Sequence, residues 1–242
     1  MARIGSWLGG ALVALLPCAG AAQEAGWDYR VTLYGWMAGL DSTAVTPLGT
    51  VNAELRFRDV LSNLKMAFMG AFEARNGPWG LIGDIVYSDL AMSRDDPLGG
   101  AFSSVTLAPR LTAATGLVAY RIRETQAAAI DLAAGLRYVK LDTAVDFAAG
   151  PSFASDRSWV DPVIGLRVSG DFSESWYGRI YADAGGWDGS STWQLAAVAG
   201  YRISPAWSAE FGYRRLQVKT DMSPANMSLD MSGPMLGISA RF

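Results

Sequence analysis

Ala128-Ala129-Ile130-Asp131-Leu132-Ala133-Ala134-Gly135-Leu136-Arg137-Tyr138 alternates without a break. Ile130, Leu132, Ala134, Leu136 and Tyr138 fall on one face, and Asp131, Ala133, Gly135 and Arg137 on the other. A period of two marks a strand with one apolar and one polar face. The segment runs on to Asp142, which is long. Strands of soluble proteins average about five or six residues, whereas a tilted strand crossing a bilayer needs about nine to eleven.

The same pattern extends outward in both directions. In Trp27 to Gly39, Trp27, Tyr29, Val31 and Leu33 oppose Asp28, Arg30, Thr32 and Tyr34. In Trp176 to Ala184, Trp176, Ile180 and Ala182 oppose Tyr177, Arg179, Tyr181 and Asp183. Short turns at Asn76-Gly77-Pro78, Arg123-Glu124-Thr125, Phe172-Ser173-Glu174 and Ser204-Pro205-Ala206 alternate with longer polar connections near 93–104, 145–157 and 220–230, and a shorter one around Gly186 to Ser190. Tight turns at one end and larger loops at the other belong to an up-and-down membrane barrel. Counting back from Phe242 gives strands near 232–242, 206–219, 191–203, 175–187, 158–170, 127–142, 106–122, 79–92, 64–76 and 27–39. The fold class is therefore all-β, an antiparallel transmembrane β-barrel of ten strands, with eight or twelve left open. Segment 40–63 reads as a long first outer loop folding over the lumen. Within it Thr50 to Phe57 is a candidate strand, and Asp59 caps a helical turn at 59–63.

Tryptophans follow three short turns, at Trp79, Trp176 and Trp207, and Trp27 opens the first strand. With Tyr34, Tyr87, Tyr120, Tyr138, Tyr201 and Tyr213 near strand ends, they form an aromatic girdle, since such rings favour the membrane–water boundary.

The chain has 242 residues, of which 50% are hydrophobic and 18% charged. It is lean in charge, yet no run after residue 25 approaches the ~20 apolar residues of a membrane helix. Arg3, the apolar stretch Leu8 to Leu16 and Ala19-Gly20-Ala21-Ala22 compose a signal peptide over 1–22, cleaved after Ala21 or Ala22, leaving 23–242 as one barrel domain. Pro17 directly before Cys18 fits a lipidation site poorly, and cleavage leaves a mature chain without cysteine.

The chain ends on Leu236-Gly237-Ile238-Ser239-Ala240-Arg241-Phe242. Leu236, Ile238, Ala240 and Phe242 share one face and would meet lipid. This ending resembles the insertion signal of Gram-negative outer-membrane β-barrel proteins, in which a terminal aromatic closes an amphipathic last strand. The resemblance spans the mature chain as architecture and identifies no subfamily. It implies an outer-membrane location, assembly by the barrel-insertion machinery, and contact with outer-membrane lipids and lipopolysaccharide.

The chain contains no histidine. A Ser-His-Asp triad is therefore excluded, and imidazole ligands for zinc are missing. Asp84, Asp131, Asp161 and Asp183 lie on presumed inward faces and could serve a barrel enzyme as carboxylate bases. The same faces carry Arg30, Arg110, Arg137, Arg167, Arg179, Arg214 and Arg241, with Glu73 and Glu210. A lumen of interlocking Arg–carboxylate pairs explains these ions more simply, because an unpaired buried charge is costly. Arg94-Asp95-Asp96-Pro97 and Asp188-Gly189-Ser190 match no calcium-loop spacing. The net charge of -3 and the lack of a basic tract speak against nucleic acid. The expectation is a monomeric barrel without catalysis, cofactor or metal, in a structural, narrow-channel or surface-binding role. The alternatives are a carboxylate-based barrel enzyme and a soluble periplasmic β-protein.

Overall fold

The computed structural model describes residues 26–46, 49–95, 104–147, 152–221 and 226–242. Segment 1–22, expected as a signal peptide, lies outside the described residues, and Cys18 with it. The strands are β1 (Asp28–Trp36), β2 (Gly39–Thr46), β3 (Gly49–Leu55), β4 (Leu64–Asn76), β5 (Trp79–Leu90), β6 (Met92–Asp95) and β7 (Ser104–Glu124). They continue as β8 (Ala128–Phe147), β9 (Ser152–Asp171), β10 (Trp176–Gly185), β11 (Ser190–Arg202), β12 (Trp207–Thr220) and β13 (Asn226–Arg241). All neighbours pair antiparallel, and β1 bonds both β4 and β13, so the wall closes on itself. Because β2 prolongs β1 and β6 prolongs β5, while β3 only flanks β2, the barrel has ten strands.

The amphipathicity of the wall inverts partway up. In the lower part of β8, Leu132 and Leu136 are 43% and 56% exposed while Asp131 and Arg137 are fully buried. Two residues higher the order reverses: Val139 is buried inside, and Lys140 and Asp142 pair on the outside at 3.1 Å. Strand β12 repeats this, with Phe211 and Tyr213 outside and Glu210 and Arg214 inside, then Arg215 outside and Leu216 and Val218 inside. In β13, Leu236 and Ile238 face out around Ser239, while higher up Leu229 and Met231 face in beside outward Asp230. From Ile130 to Tyr138 the outward row covers nine residues. At ~3.3 Å each and a tilt of about 40°, this makes a band roughly 20–25 Å tall, close to the lipid-facing height of a membrane barrel.

The band has matched edges. At the short-turn end, Trp79 meets Tyr120 (ring centroids 4.8 Å), Trp176 meets Tyr201 (5.0 Å), and Tyr29 stacks on Trp27, Phe72 and Phe242. Trp207 is half exposed at the same end. At the other end, Tyr87, Tyr138 and Tyr213 each precede, one outward position higher, a charged residue: Asp89, Lys140 and Arg215. Gly77, with φ +55°, makes the two-residue turn between β4 and β5. At Gly200 a Cβ would lie 2.1 Å from the inward ring of Tyr177, so only glycine leaves room for that ring.

Segment 40–63 departs from the expectation. It does not fold over the lumen; β2 pairs with the upper part of β13 and β3 returns along β2, so the segment raises the wall. The candidate strand at 50–57 is thus present as β3. Helix α1 (Phe57–Ser62) has Arg56 at its N-cap with no side-chain cap bond, and Asp59 stands in the first turn instead of capping it. Residues 145–147 and 152–157, expected in a loop, belong to β8 and β9.

Candidate functional site

The lumen is the only setting where the chain gathers many charges in the dry interior among the described residues, and it is layered. Highest is an apolar plug of Trp36, Val86, Ala113, Val139, Trp159, Leu216, Val218, Leu229 and Met231. Each of four ions or dipoles beneath it is one inward step from a plug residue: Tyr34 below Trp36, Asp84 below Val86, Arg137 below Val139, Arg214 below Leu216.

That next layer is bonded across the lumen. Arg137 Nη2 donates to Asp183 Oδ2 at 2.6 Å and Nη1 to Oδ1 at 3.0 Å; Nε reaches Thr115 and Nη1 also reaches Thr192. Arg214 Nη2 donates to Asp84 Oδ1 at 2.8 Å, and Tyr34 Oη donates to Asp84 Oδ2 at 2.6 Å. The guanidinium of Arg214 also lies over the Trp36 ring at 5.0 Å, which ties the ionic layer to the plug. Asp84 and Asp183 are therefore both seated against arginines. Tyr34 belongs to this layer and not to the girdle.

A third layer lies toward the short-turn end. Asp131, fully buried, accepts from Arg75 (2.8 Å), Arg121 (3.0 Å) and Arg167 (2.8 Å). Arg167 also binds Glu73 at 2.7 Å. Glu210 accepts from Arg179, Tyr177 and Ser239, each at 2.6 Å, and Ser239 is 2.9 Å from Thr32. At the mouth Arg241 Nε donates to Asp28 at 2.7 Å, and Arg202 pairs with Asp171.

Of the residues expected in a lumen network, Glu73, Asp84, Asp131, Arg137, Arg167, Arg179, Asp183, Glu210 and Arg214 are brought together, with Arg241 at the rim. Arg110 is not. It points outward and pairs with Asp89 on the exterior at 3.0 Å, because inward Ala113, Thr115 and Leu117 put residue 110 on the opposite parity. Asp161 is buried, but it accepts from Trp159 Nε1 and Ser190 Oγ, with no ion pair among the described residues. Arg30 lies over the Tyr177 ring at 5.5 Å and has no carboxylate partner among the described residues. Arg75, Arg121, Tyr177 and the whole apolar plug were missed. Arg75 repeats the parity of Glu73, the signal that could have found it.

Above the band, the Arg215 guanidinium that hydrogen-bonds Asp230 holds its carboxyl below the usual carboxylate range. Among the described residues no group of three or more His, Cys, Asp or Glu side chains could hold a metal, and no helix is long and apolar enough to cross a membrane.

No family model and no curated protein matches the sequence. Solved structures do resemble the fold. The outer-membrane protease OmpT of Escherichia coli aligns over 89% of this chain and 97% of its own, at 10% identity and a TM-score of 0.55. The translocator domain of the autotransporter NalP from Neisseria meningitidis covers 90% and 89%, at 11% identity and a TM-score of 0.41. Ail, the attachment invasion locus protein of Yersinia pestis, covers 90% and 99%, at 11% identity and a TM-score of 0.39. At such identities the likeness concerns the fold alone.

Proposed function

We propose that this chain is an integral outer-membrane β-barrel of a Gram-negative bacterium whose lumen is shut and whose work is structural. It anchors a second, soluble-like β tier outside the membrane. The short-turn end faces the periplasm and the loop end faces outward. One observation carries this reading: the wall inverts at a single level, from apolar-out and ionic-in to polar-out and apolar-in. Lipid favours the first arrangement and water the second, so the inversion marks the outer membrane surface. The paired ions Asp89–Arg110, Lys140–Asp142 and Arg215–Asp230 then stand at headgroup level, where lipopolysaccharide is the neighbouring lipid.

The plug supports a closed lumen over a narrow channel, since solute would have to cross a dry apolar layer and then a bonded ionic one. OmpT is a protease, but the likeness to it is one of fold. In this chain the absence of histidine and the seating of Asp84 and Asp183 against arginines favour a non-catalytic role. A wall with no open edge in the membrane zone favours a monomer. The last strand, β13, is the segment that the insertion machinery would engage.

Planar-bilayer recording of the refolded protein tests this. A heat-modifiable band on gels with no conductance steps is expected; discrete channel openings would contradict the sealed lumen.

A further inference from the structure

Two adjoining cavities in the periplasmic half of the lumen share a wall. The wider, of about 490 Å³, opens at the mouth, and the narrower, of about 170 Å³, lies deeper, below the plug. Arg30, Glu73, Arg167 and Arg179 line both and form their common partition.

Positive charge is in excess at that partition. Arg75, Arg167 and Arg179 each contact a carboxylate of Asp131, Glu73 or Glu210, whereas Arg30 contacts none among the described residues. Arg30 also sits directly opposite Arg241 in the β1–β13 pairing. Like charges facing one another across a sheet are destabilising. Three guanidiniums, of Arg30, Arg179 and Arg202, lie 5.5, 5.7 and 5.0 Å from the centre of one ring, Tyr177, which has only two faces to offer. Nearby, Nη1 of Arg75 is buried without an acceptor. An anion at Arg30 would relieve both the repulsion and the unmet donors.

The deeper chamber has a different character. Ile82, Leu117, Ala196 and Val198 line it, and its polar fringe includes three buried atoms without partners among the described residues, Tyr181 Oη, Gln194 Oε1 and Arg214 Nε. Its volume is close to the ~150 Å³ of an apolar cavity that admits benzene.

We propose that the periplasmic mouth binds a small organic anion, a carboxylate on a compact apolar body. The carboxylate lies against Arg30 and the body enters the chamber beside Leu117 and Val198. This goes beyond the structural role and is separable from it, because binding is read on the folded barrel whether or not that barrel conducts.

The test is calorimetric titration of the refolded barrel in lipid nanodiscs with benzoate and, separately, inorganic phosphate. Saturable benzoate binding at least tenfold tighter than phosphate is expected. Arg30→Gln should weaken benzoate tenfold or more, Arg30→Lys less, and Arg215→Gln on the outer wall not at all. Ala196→Leu, which fills the chamber, should weaken benzoate and leave the phosphate response unchanged. Should Arg30→Gln fail to fold, Arg30→Lys and Ala196→Leu still decide the matter. Benzoate binding no tighter than phosphate, or unaltered in these variants, would overturn the proposal.

Discussion

Arg137 of β8 and Asp183 of β10 meet across the lumen with neither side chain reached by solvent, two parallel bonds of 2.6 and 3.0 Å joining them. Strand β9 separates them in the wall, so the pair braces the barrel from within. Removing one partner of such a pair strands the other charge, at a cost of about 3–5 kcal/mol. Arg137→Met should destabilise the folded barrel by that order in urea titrations followed by tryptophan fluorescence. The double variant Arg137→Met/Asp183→Leu should regain most of the loss, because no buried charge is then left alone.

The outer band makes a second expectation. Ala134 lies midway along the outward row of β8, and an arginine there would sit in hydrocarbon at a cost of about 2–4 kcal/mol. Ser158, opposite Lys140 at the band's edge, should accept arginine for about 0–1 kcal/mol. Equal penalties at the two sites in unfolding from vesicles would remove the boundary drawn here.

Leu216 belongs to the plug and is fully buried. Leu216→Ala should cost about 2–5 kcal/mol, as truncations of packed cores do. Leu132→Ala, on the lipid face, should cost less, since lipid closes over the missing atoms. Comparing the two in one denaturant series separates a packed upper tier from a loose one.

Phe242 stacks on Tyr29 at 5.7 Å, and the backbones of the two residues exchange hydrogen bonds at 2.9 and 3.0 Å. Phe242 thus extends the seam between β1 and β13. Phe242→Ala should lower the heat-modifiable, membrane-assembled fraction in cells several-fold, measured on gels of outer-membrane preparations. The refolded protein should lose little stability, which would locate the effect in insertion.

Much of this architecture was legible in the residues. Period-two runs such as Ile130 to Tyr138 place every barrel strand, because a single-residue slip would turn all its apolar side chains to the wrong face. Arg110 was misplaced because Leu107 to Ala114 has no charged residue besides Arg110 and carries alanine on both parities, which offers little contrast to count from. The plug was harder to read. Leu216, Val218, Leu229 and Met231 continue the alternation with its sense reversed, and a reversal looks like an ordinary strand unless the membrane edge is already known. The bond partners inside the lumen were not readable, since Arg137 could reach several carboxylates and only the closed wall selects Asp183.

Spin labels placed singly along residues 132–142, in a Cys18→Ser background, test the membrane placement most directly. Oxygen accessibility in lipid vesicles should peak at 132, 134, 136 and 138 and dip at 133, 135 and 139, while a water-soluble nickel complex should reach 140 and 142. Equal accessibility to nickel along the whole row, with no two-residue oscillation in oxygen, would contradict a lipid-facing wall that ends at Tyr138.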